Sequence, residues 1–370
     1  MPPRKRAAKR PPTPPPAPAG PPETDAPPNE TDAPPPAAEA DVGRHPATSG
    51  HATPAEDACS VLWDQDGTNA FGTAAGAVFF VVLEQSGPWG RVAAHESHLG
   101  AELGAELDSR CADAGGRFML IRRPSGHPDH DGPRRVLVAH AGVRADDAWM
   151  LSADVAKPGD LLELDWSALA RGHRALVRAS LPGAEDAPPH LLICTNGRRD
   201  VCCAVRGRPL AAAAARLAPG RVWEVSHTGG HRFAPTAVLL PWGQGFARLD
   251  ETTAGWVLEA SDTGHVPREL LGATHDRGRS PLPALAQCAE SHVRALIEET
   301  RLGALRAVPS DAEGDDPVIE VAHEDGRSWR VWVQRRPTGT RRPESCGKAA
   351  IDVQELVGEV IDDPDLPAVH

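Results

Sequence analysis

The sequence predicts an α/β fold, and three features carry that prediction. Short apolar segments rich in Val, Ile, Leu and Phe alternate with longer segments of helical periodicity, the pattern of a layered α/β sandwich. Two of the apolar segments run directly into Cys and His, so ligand-type side chains fall at the C-terminal ends of two predicted strands. The N-terminal stretch differs from both, being made largely of Pro, Ala, Glu, Asp and Thr.

Residues 1 to about 55, with Pro11-Pro-Thr-Pro-Pro-Pro16 and Ala33-Pro-Pro-Pro36, are expected to be a disordered tail of polyproline II character. Such a composition buries too little apolar surface to offset the entropy of ordering. A first α/β region is expected over 56–187. Ala77-Val-Phe-Phe-Val-Val-Leu83 reads as a buried strand, and His98 to Cys111 carries Leu99, Leu103 and Leu107 at helical spacing. Arg117–Arg122 and Arg134–Ala139 are two further strands, with shorter candidates at Trp149–Ser152 and Leu161–Leu164.

A second region, 188–305, repeats strand, ligand loop and helix. Leu191-Leu-Ile193 delivers Cys194, and Gly207–Leu217 is an alanine-rich helix stopped by Pro219-Gly220. Val222–Val225 delivers Ser226-His227-Thr-Gly-Gly-His231, Thr236–Leu240 follows as a strand, and Phe246–Leu249 is placed to pair with it. Thr253–Ala260 and Leu282–Arg301 read as helices. The order β-α-β-β-α over 190–262 is that of a thioredoxin-like half sheet. The last region, 306–370, is expected to be a small β-hairpin, Pro317–Ala322 with Ser328–Val333 around Glu324-Asp-Gly326, and a final helix over Ile351–Ile361.

Composition narrows the function. A net charge of −12 and pI near 5.7 argue against nucleic-acid binding as the main activity. The longest apolar run, Ala74 to Leu83, is too short to span a bilayer, which takes about 20 residues. The basic N-terminus leads into prolines with no apolar export segment, and the seven cysteines are an odd number, so a reducing, cytoplasmic setting is expected.

The chemistry concentrates between His190 and Pro241, in Cys194-Thr-Asn-Gly-Arg-Arg-Asp-Val-Cys202-Cys203 and His227-Thr-Gly-Gly-His231. Cys and His in two pairs are donors for zinc or for iron–sulfur clusters. Gly229 and Gly230 disfavour a helix between the histidines, and zinc-type H-E-x-x-H motifs have a Glu that this one lacks. Cys59, Cys111, Cys288 and Cys346 read as packed thiols, and His95, His98, His127 and His130 as solvated side chains.

With Gly207-Arg-Pro-Leu210, Gly72-Thr-Ala74, Glu84–Gly90 and Arg342-Pro-Glu-Ser-Cys-Gly347 around it, this motif pair resembles the sucrase/ferredoxin-like family, across most of residues 59–350. The resemblance implies a thioredoxin-like ferredoxin module and a [2Fe-2S] cluster held by two Cys and two His. Carried across, the ligands are Cys194, Cys203, His227 and His231. Cys202 directly precedes Cys203, so either is a candidate for the second thiolate. Two imidazoles in place of two thiolates remove negative charge and raise the reduction potential. Arg198, Arg199 and Arg232 lie near enough in sequence to offset cluster charge or guide an acidic redox partner protein. The expectation is an electron carrier rather than an enzyme with its own substrate, with no nucleic-acid or membrane partner. Its alternatives are a zinc-stabilised Cys2His2 binding or scaffold protein, and an enzyme whose substrate site lies in 57–181.

Overall fold

The strands that the pattern predicts assemble around one long sheet. The computed structural model describes residues 54–124, 132–309 and 317–362. The expected disordered tail lies almost wholly outside these, as do His127 and His130. The described residues belong to the compact unit Gly50–His370.

In chain order, α1 (Cys59–Gln65) precedes β1 (Phe79–Glu84), α2 (Ala93–Glu96), α3 (Ala101–Asp113), β2 (Arg117–Arg122), β3 (Arg134–His140) and β4 (Trp149–Val155). Two short helices, α4 (Trp166–Ala170) and α5 (Arg174–Ser180), lead to β5 (Glu185–Asp186). Then come β6 (His190–Cys194), α6 (Val201–Leu217), β7 (Val222–Val225), β8 (Ala237–Leu240), β9 (Gln244–Phe246), α7 (Glu251–Ser261) and β10 (Asp276–Arg279). The chain ends in α8 (Ala284–Leu296), β11 (Leu305–Pro309), β12 (Val318–His323), β13 (Ser328–Pro343) and β14 (Ala350–Asp362).

Strands β1 to β10 form a ten-stranded sheet in the order β10-β9-β8-β6-β7-β2-β1-β3-β4-β5. The order reads the same from both ends. β1 and β2 are parallel, with β3 antiparallel to β1; β6 and β7 are parallel, with β8 antiparallel to β6. Each parallel pair needs a crossover, supplied by α3 in one half and α6 in the other. The halves join where β2 and β7 pair antiparallel, at Ile121↔Val225 and Arg122↔Glu224. At that seam the buried Arg122 guanidinium meets Glu224 at 2.7 Å, and Thr195 Oγ1 donates to the same carboxylate oxygen at 2.8 Å. The expected boundary at 187/188 falls between β5 and β6, and strands from both sides of it share this sheet.

Alternation along the strands sorts the core. Phe79, Val81 and Leu83 pack with Leu107 of α3, while Phe80 and Val82 face the other side with Met119, Ile121, Leu192 and Trp223. A strand buried on both faces has to be apolar throughout, hence the unbroken run at 77–83. Leu191 and Ile193 of β6 point to α6, against Leu210, Ala211 and Ala214, while Leu192 and Cys194 take the opposite face.

The remaining strands form an antiparallel meander, β11-β12-β13-β14, with α8 packed on it through Ala286, Cys288, Ala289 and Val293. The final helix expected at Ile351–Ile361 is a strand. β14 pairs with β13 from Arg330↔Asp362 to Pro343↔Ala350, with register shifts. Its β-branched residues Ile351, Val353, Val357, Val360 and Ile361 suit a pleated surface better than a helix, and a long partner strand lies beside it. The short strand expected at Leu161–Leu164 is mostly a 3-10 helix, Pro158–Glu163, whose start is fixed by Pro158 and by Asp160 accepting from Lys157 N–H at 3.0 Å. The partner of β8 is β9, which begins two residues before the expected segment Phe246–Leu249 and shares only Phe246 with it, opposite Ala237. Among the described residues no helix is long and apolar enough to cross a membrane.

Candidate metal centre

Cys194 is the last residue of β6, and its N–H is held by Thr236 O at 2.9 Å. The chain then turns through Thr195–Arg199 to Asp200, whose carboxylate caps α6 by accepting from Cys202 N–H at 2.9 Å. Cys202 and Cys203 therefore sit in the first turn of α6, where unpaired N–H groups favour a thiolate. Adjacent positions on a helix point about 100° apart, so the two side chains face different neighbours. Cys203 turns to the end of β6 and to His231, with Sγ 3.6 Å from His231 Nδ1. Cys202 turns to Cys59 and Cys346. Of the two cysteines between which the sequence left the choice open, Cys203 is the one beside Cys194 and His231.

The histidine loop leaves the end of β7. Gly229 and Gly230 take φ of 78° and 71°, left-handed values that let the chain reverse and bring the two rings together. The His227 and His231 rings stack with centroids 5.0 Å apart and planes 27° from parallel. Two arginines, half-buried Arg117 and buried Arg277, hold this loop by its carbonyls: Arg117 Nη2 donates to His227 O at 3.2 Å, and Arg277 Nη1 to Gly229 O at 3.1 Å. Arg277 is 1 % exposed and has no carboxylate partner among the described residues. It also donates to Thr73 Oγ1 at 3.1 Å and to Thr73 O.

The structure therefore brings all four expected ligands together, two buried thiols and two half-buried imidazoles. The Cys194 thiol is held well below its usual range, chiefly by the hydrogen bond from Cys203 and further by His227 and the Thr228 N–H, against the effect of burial. Cys203 is correspondingly pushed up by its bond to Cys194 and by burial. Burial, with His227 next to it, lowers His231 to about 4. Burial lowers Arg277 to about 9, with Arg232 and Arg117 adding repulsion and Cys194 and Cys203 opposing it. The low Cys194 thiol and the raised Cys203 thiol put the negative charge on the Cys194 sulfur, whereas His231 and Arg277 are lowered by burial against the opposing pull of that sulfur.

A second group forms on the other side of the Cys202–Cys203 peptide. Cys59 of α1, Cys202 of α6 and Cys346 of the β13–β14 connection meet with Sγ–Sγ distances of 3.6, 3.3 and 3.6 Å. With Asp200, their ligand atoms lie within 4.8 Å of one another, close enough to hold a metal ion. Cys59 and Cys346 are thus not simply packed thiols, as their isolation in the sequence suggested; Cys111 and Cys288 are buried, and burial raises both thiols. The sequence separations of 143, 144 and 287 residues left no local spacing from which the group could be read. Of the flanking arginines, Arg198 is exposed, whereas Arg232 is half-buried, 3.2 Å from Glu344 and stacked over Trp63. His95 is 3.5 Å from Asp108 on the surface and has no place in either group.

An α/β protein with two sulfur-rich donor groups on either side of the first turn of α6, one of them at the ends of the central strands β6 and β7, is the class that fold and site define. The family model for sucrase/ferredoxin-like proteins matches residues 72–311, and the chain belongs to that family. No curated protein and no solved structure matches it.

Proposed function

We propose that the protein is an electron carrier holding a [2Fe-2S] cluster on Cys194, Cys203, His227 and His231. The observation that carries this reading is the convergence of two buried thiols and two imidazoles from the ends of the parallel strands β6 and β7 and the first turn of α6, with the guanidiniums of Arg277 and Arg117 behind them. The donor set fits the group. Two thiolates and two neutral imidazoles satisfy two irons, and the imidazole already lowered to about 4 is free to ligate. Among the described residues, the donors that close to a single-ion span are the other group, which favours a two-iron core over mononuclear zinc here. The strand order β9-β8-β6-β7, with β6 and β7 parallel and β8 antiparallel, supports a module of the thioredoxin-like kind.

When bound, the cluster supplies one-electron chemistry at a potential raised by its histidines. The chain's own residues do the rest. The Thr228 N–H stabilises sulfur charge at Cys194, and Arg277 and Arg117 offset added negative charge, Arg277 with no carboxylate partner among the described residues. Burial of the thiols excludes water, while the half-exposed imidazoles leave a short route to the surface. Exposed Arg198 and half-exposed Arg199 on the cluster loop suit an acidic redox partner protein. Anaerobic purification with an absorption spectrum and iron and sulfide assays tests the proposal. The expected result is two irons and two sulfides per chain, with colour lost in Cys194→Ala and Cys203→Ala. A colourless protein with zinc on these donors would replace the electron carrier by the zinc-stabilised binding protein.

A further inference from the structure

The three thiols around Asp200 lie outside the cluster donors, and two of them, Cys59 and Cys346, lie outside residues 72–311 that define the family. We propose that Cys59, Cys202, Cys346 and Asp200 bind a single zinc-class ion that ties both ends of the folded chain to the N-terminus of α6.

The distances match one ion. A tetrahedral zinc with Zn–S bonds of about 2.3 Å separates its sulfurs by about 3.8 Å. The three sulfurs stand 3.3 to 3.6 Å apart, and Cys59 Sγ is 3.8 and 3.9 Å from the two Asp200 oxygens. They are therefore within a few tenths of an ångström of the required edges, and the group needs little movement to accept the ion. Soft thiolates with one carboxylate are zinc donors rather than calcium or magnesium donors.

The carboxylate supplies a second, independent indication. Asp200 is 4 % exposed, and among the described residues no Lys, Arg or His stands within ion-pair distance of it. Its Oδ2 accepts from Ser345 Oγ at 2.7 Å and Cys346 N–H at 2.8 Å, and its Oδ1 from Cys202 N–H at 2.9 Å, while the Cys59 thiol makes only long contacts of 3.9 and 3.8 Å to Oδ1 and Oδ2. Each carboxylate oxygen has two lone pairs, so beside its one short hydrogen bond Oδ1 has a lone pair that the Cys59 thiol approaches. A buried carboxylate held in orientation by three donors but without a cation is an incomplete arrangement, which a divalent ion completes. The N-terminus of α6 offsets part of the negative charge that three thiolates would bring. A cleft of ≈290 Å³ lined by Pro54, Ala58, Val201, Cys202 and Cys346 reaches the group from the surface and gives the ion an entry path.

On binding, each thiol releases its proton to solvent and no electron is transferred. The ion would fasten α1 and the β13–β14 connection to the helix that carries Cys203, next to the cluster donors. Cys346 is the least buried of the three, so Cys346→Ser is the mildest perturbation.

The test is zinc K-edge X-ray absorption and metal content on the full chain, expressed with zinc and iron both supplied. About one zinc per chain with three sulfurs and one oxygen around it is expected. Cys346→Ser should bind zinc at least tenfold more weakly, Cys111→Ser should keep it, and Cys194→Ala should keep zinc while losing iron. Loss of zinc with Cys194→Ala but not with Cys346→Ser would place the ion on the other donors and overturn the proposal. A wild-type protein without zinc, an iron in this site, or a disulfide between two of the three cysteines found by mass spectrometry would overturn it as well. The absorption measurement on the wild-type chain decides the case even where a variant fails to fold.

Discussion

Gly207 of α6 stands one helical turn after Cys203, on the face that packs on β6. A Cβ placed there would lie 2.2 Å from the carbonyl oxygen of Cys194 and 3.3 Å from its carbon. Both obstructing atoms are backbone in the middle of a sheet, so neither rotates away. To restore ordinary contact the helix must retreat by roughly 1 Å, which carries Cys203 away from Cys194. Two effects compete in Gly207→Ala. Alanine in a helix interior gains about 1 kcal/mol over glycine. Overpacking against a rigid neighbour costs about 1–3 kcal/mol. Against an unyielding backbone oxygen the upper half of that cost applies, so the clash should win by about 1–2 kcal/mol, lowering the Tm by roughly 2–8 °C at the sensitivity of a large domain. Gly255 in α7 is the control, since its added Cβ would meet only the end of the Leu217 side chain at 3.3 Å; Gly255→Ala should hold or raise the Tm. Thermal melts of the three proteins, with iron content and visible absorption on the same samples, form the assay. An unchanged or higher Tm for Gly207→Ala with full iron content would refute the claim that this contact sets the distance between the two thiols.

Two further perturbations follow from buried charge. Arg277→Leu removes a buried cation that faces Cys194 and Cys203, so the reduction potential of the proposed cluster should fall on the order of 50 mV, about 1 kcal/mol for one electron, and an unmoved potential in film voltammetry would show that Arg277 only holds the loop. His190 accepts from Trp223 Nε1 at 3.0 Å and is lowered to about 4 by burial, then by Arg221, Arg135 and Arg123. Its fold therefore keeps the ring neutral, while the unfolded chain protonates near 6.5. Stability from this group is full above pH 6.5 and is lost progressively as pH falls towards 4, by at most about 3 kcal/mol. His190→Gln should weaken the fold at pH 7 yet flatten the decline between pH 6.5 and 4.5 in urea titrations, and equal slopes for the two proteins would exclude His190 as the acid-sensitive group.

Legibility in the sequence followed the range of the interaction. The strands β1, β2, β6, β7 and β8 were readable because burial on both faces or one demands a local pattern, and the ligand pairs because each stands within one loop. Cys59 with Cys346 was not readable, because 287 residues separate them and each alone looks like a packed thiol. Arg277 carried no local signal; only the fold shows that it is buried and, among the described residues, without a carboxylate partner. The segment Ile351–Ile361 misled because its apolar residues change alternation across a register shift in the pairing with β13, which mimics helical spacing.

The near-symmetric sheet gives the first half a purpose that its sequence does not announce. Both halves place a parallel pair under a helix, yet only β6 and β7 deliver Cys and His. Because β2 runs antiparallel to β7, the beginning of β2 lies beside the histidine loop that leaves the end of β7. Arg117, the first residue of β2, reaches His227 O, and Leu120 exchanges two hydrogen bonds with Ser226, at 2.9 and 3.1 Å. From the β1–α2 connection, Gly90 O accepts from Asn196 Nδ2 at 3.0 Å and steadies the cysteine loop. The half without ligands thus fixes both loops of the half that has them. Removing it should unravel the thiol–imidazole arrangement even though every donor stays in the chain, so 188–305 expressed alone should not retain iron at the level of the full protein.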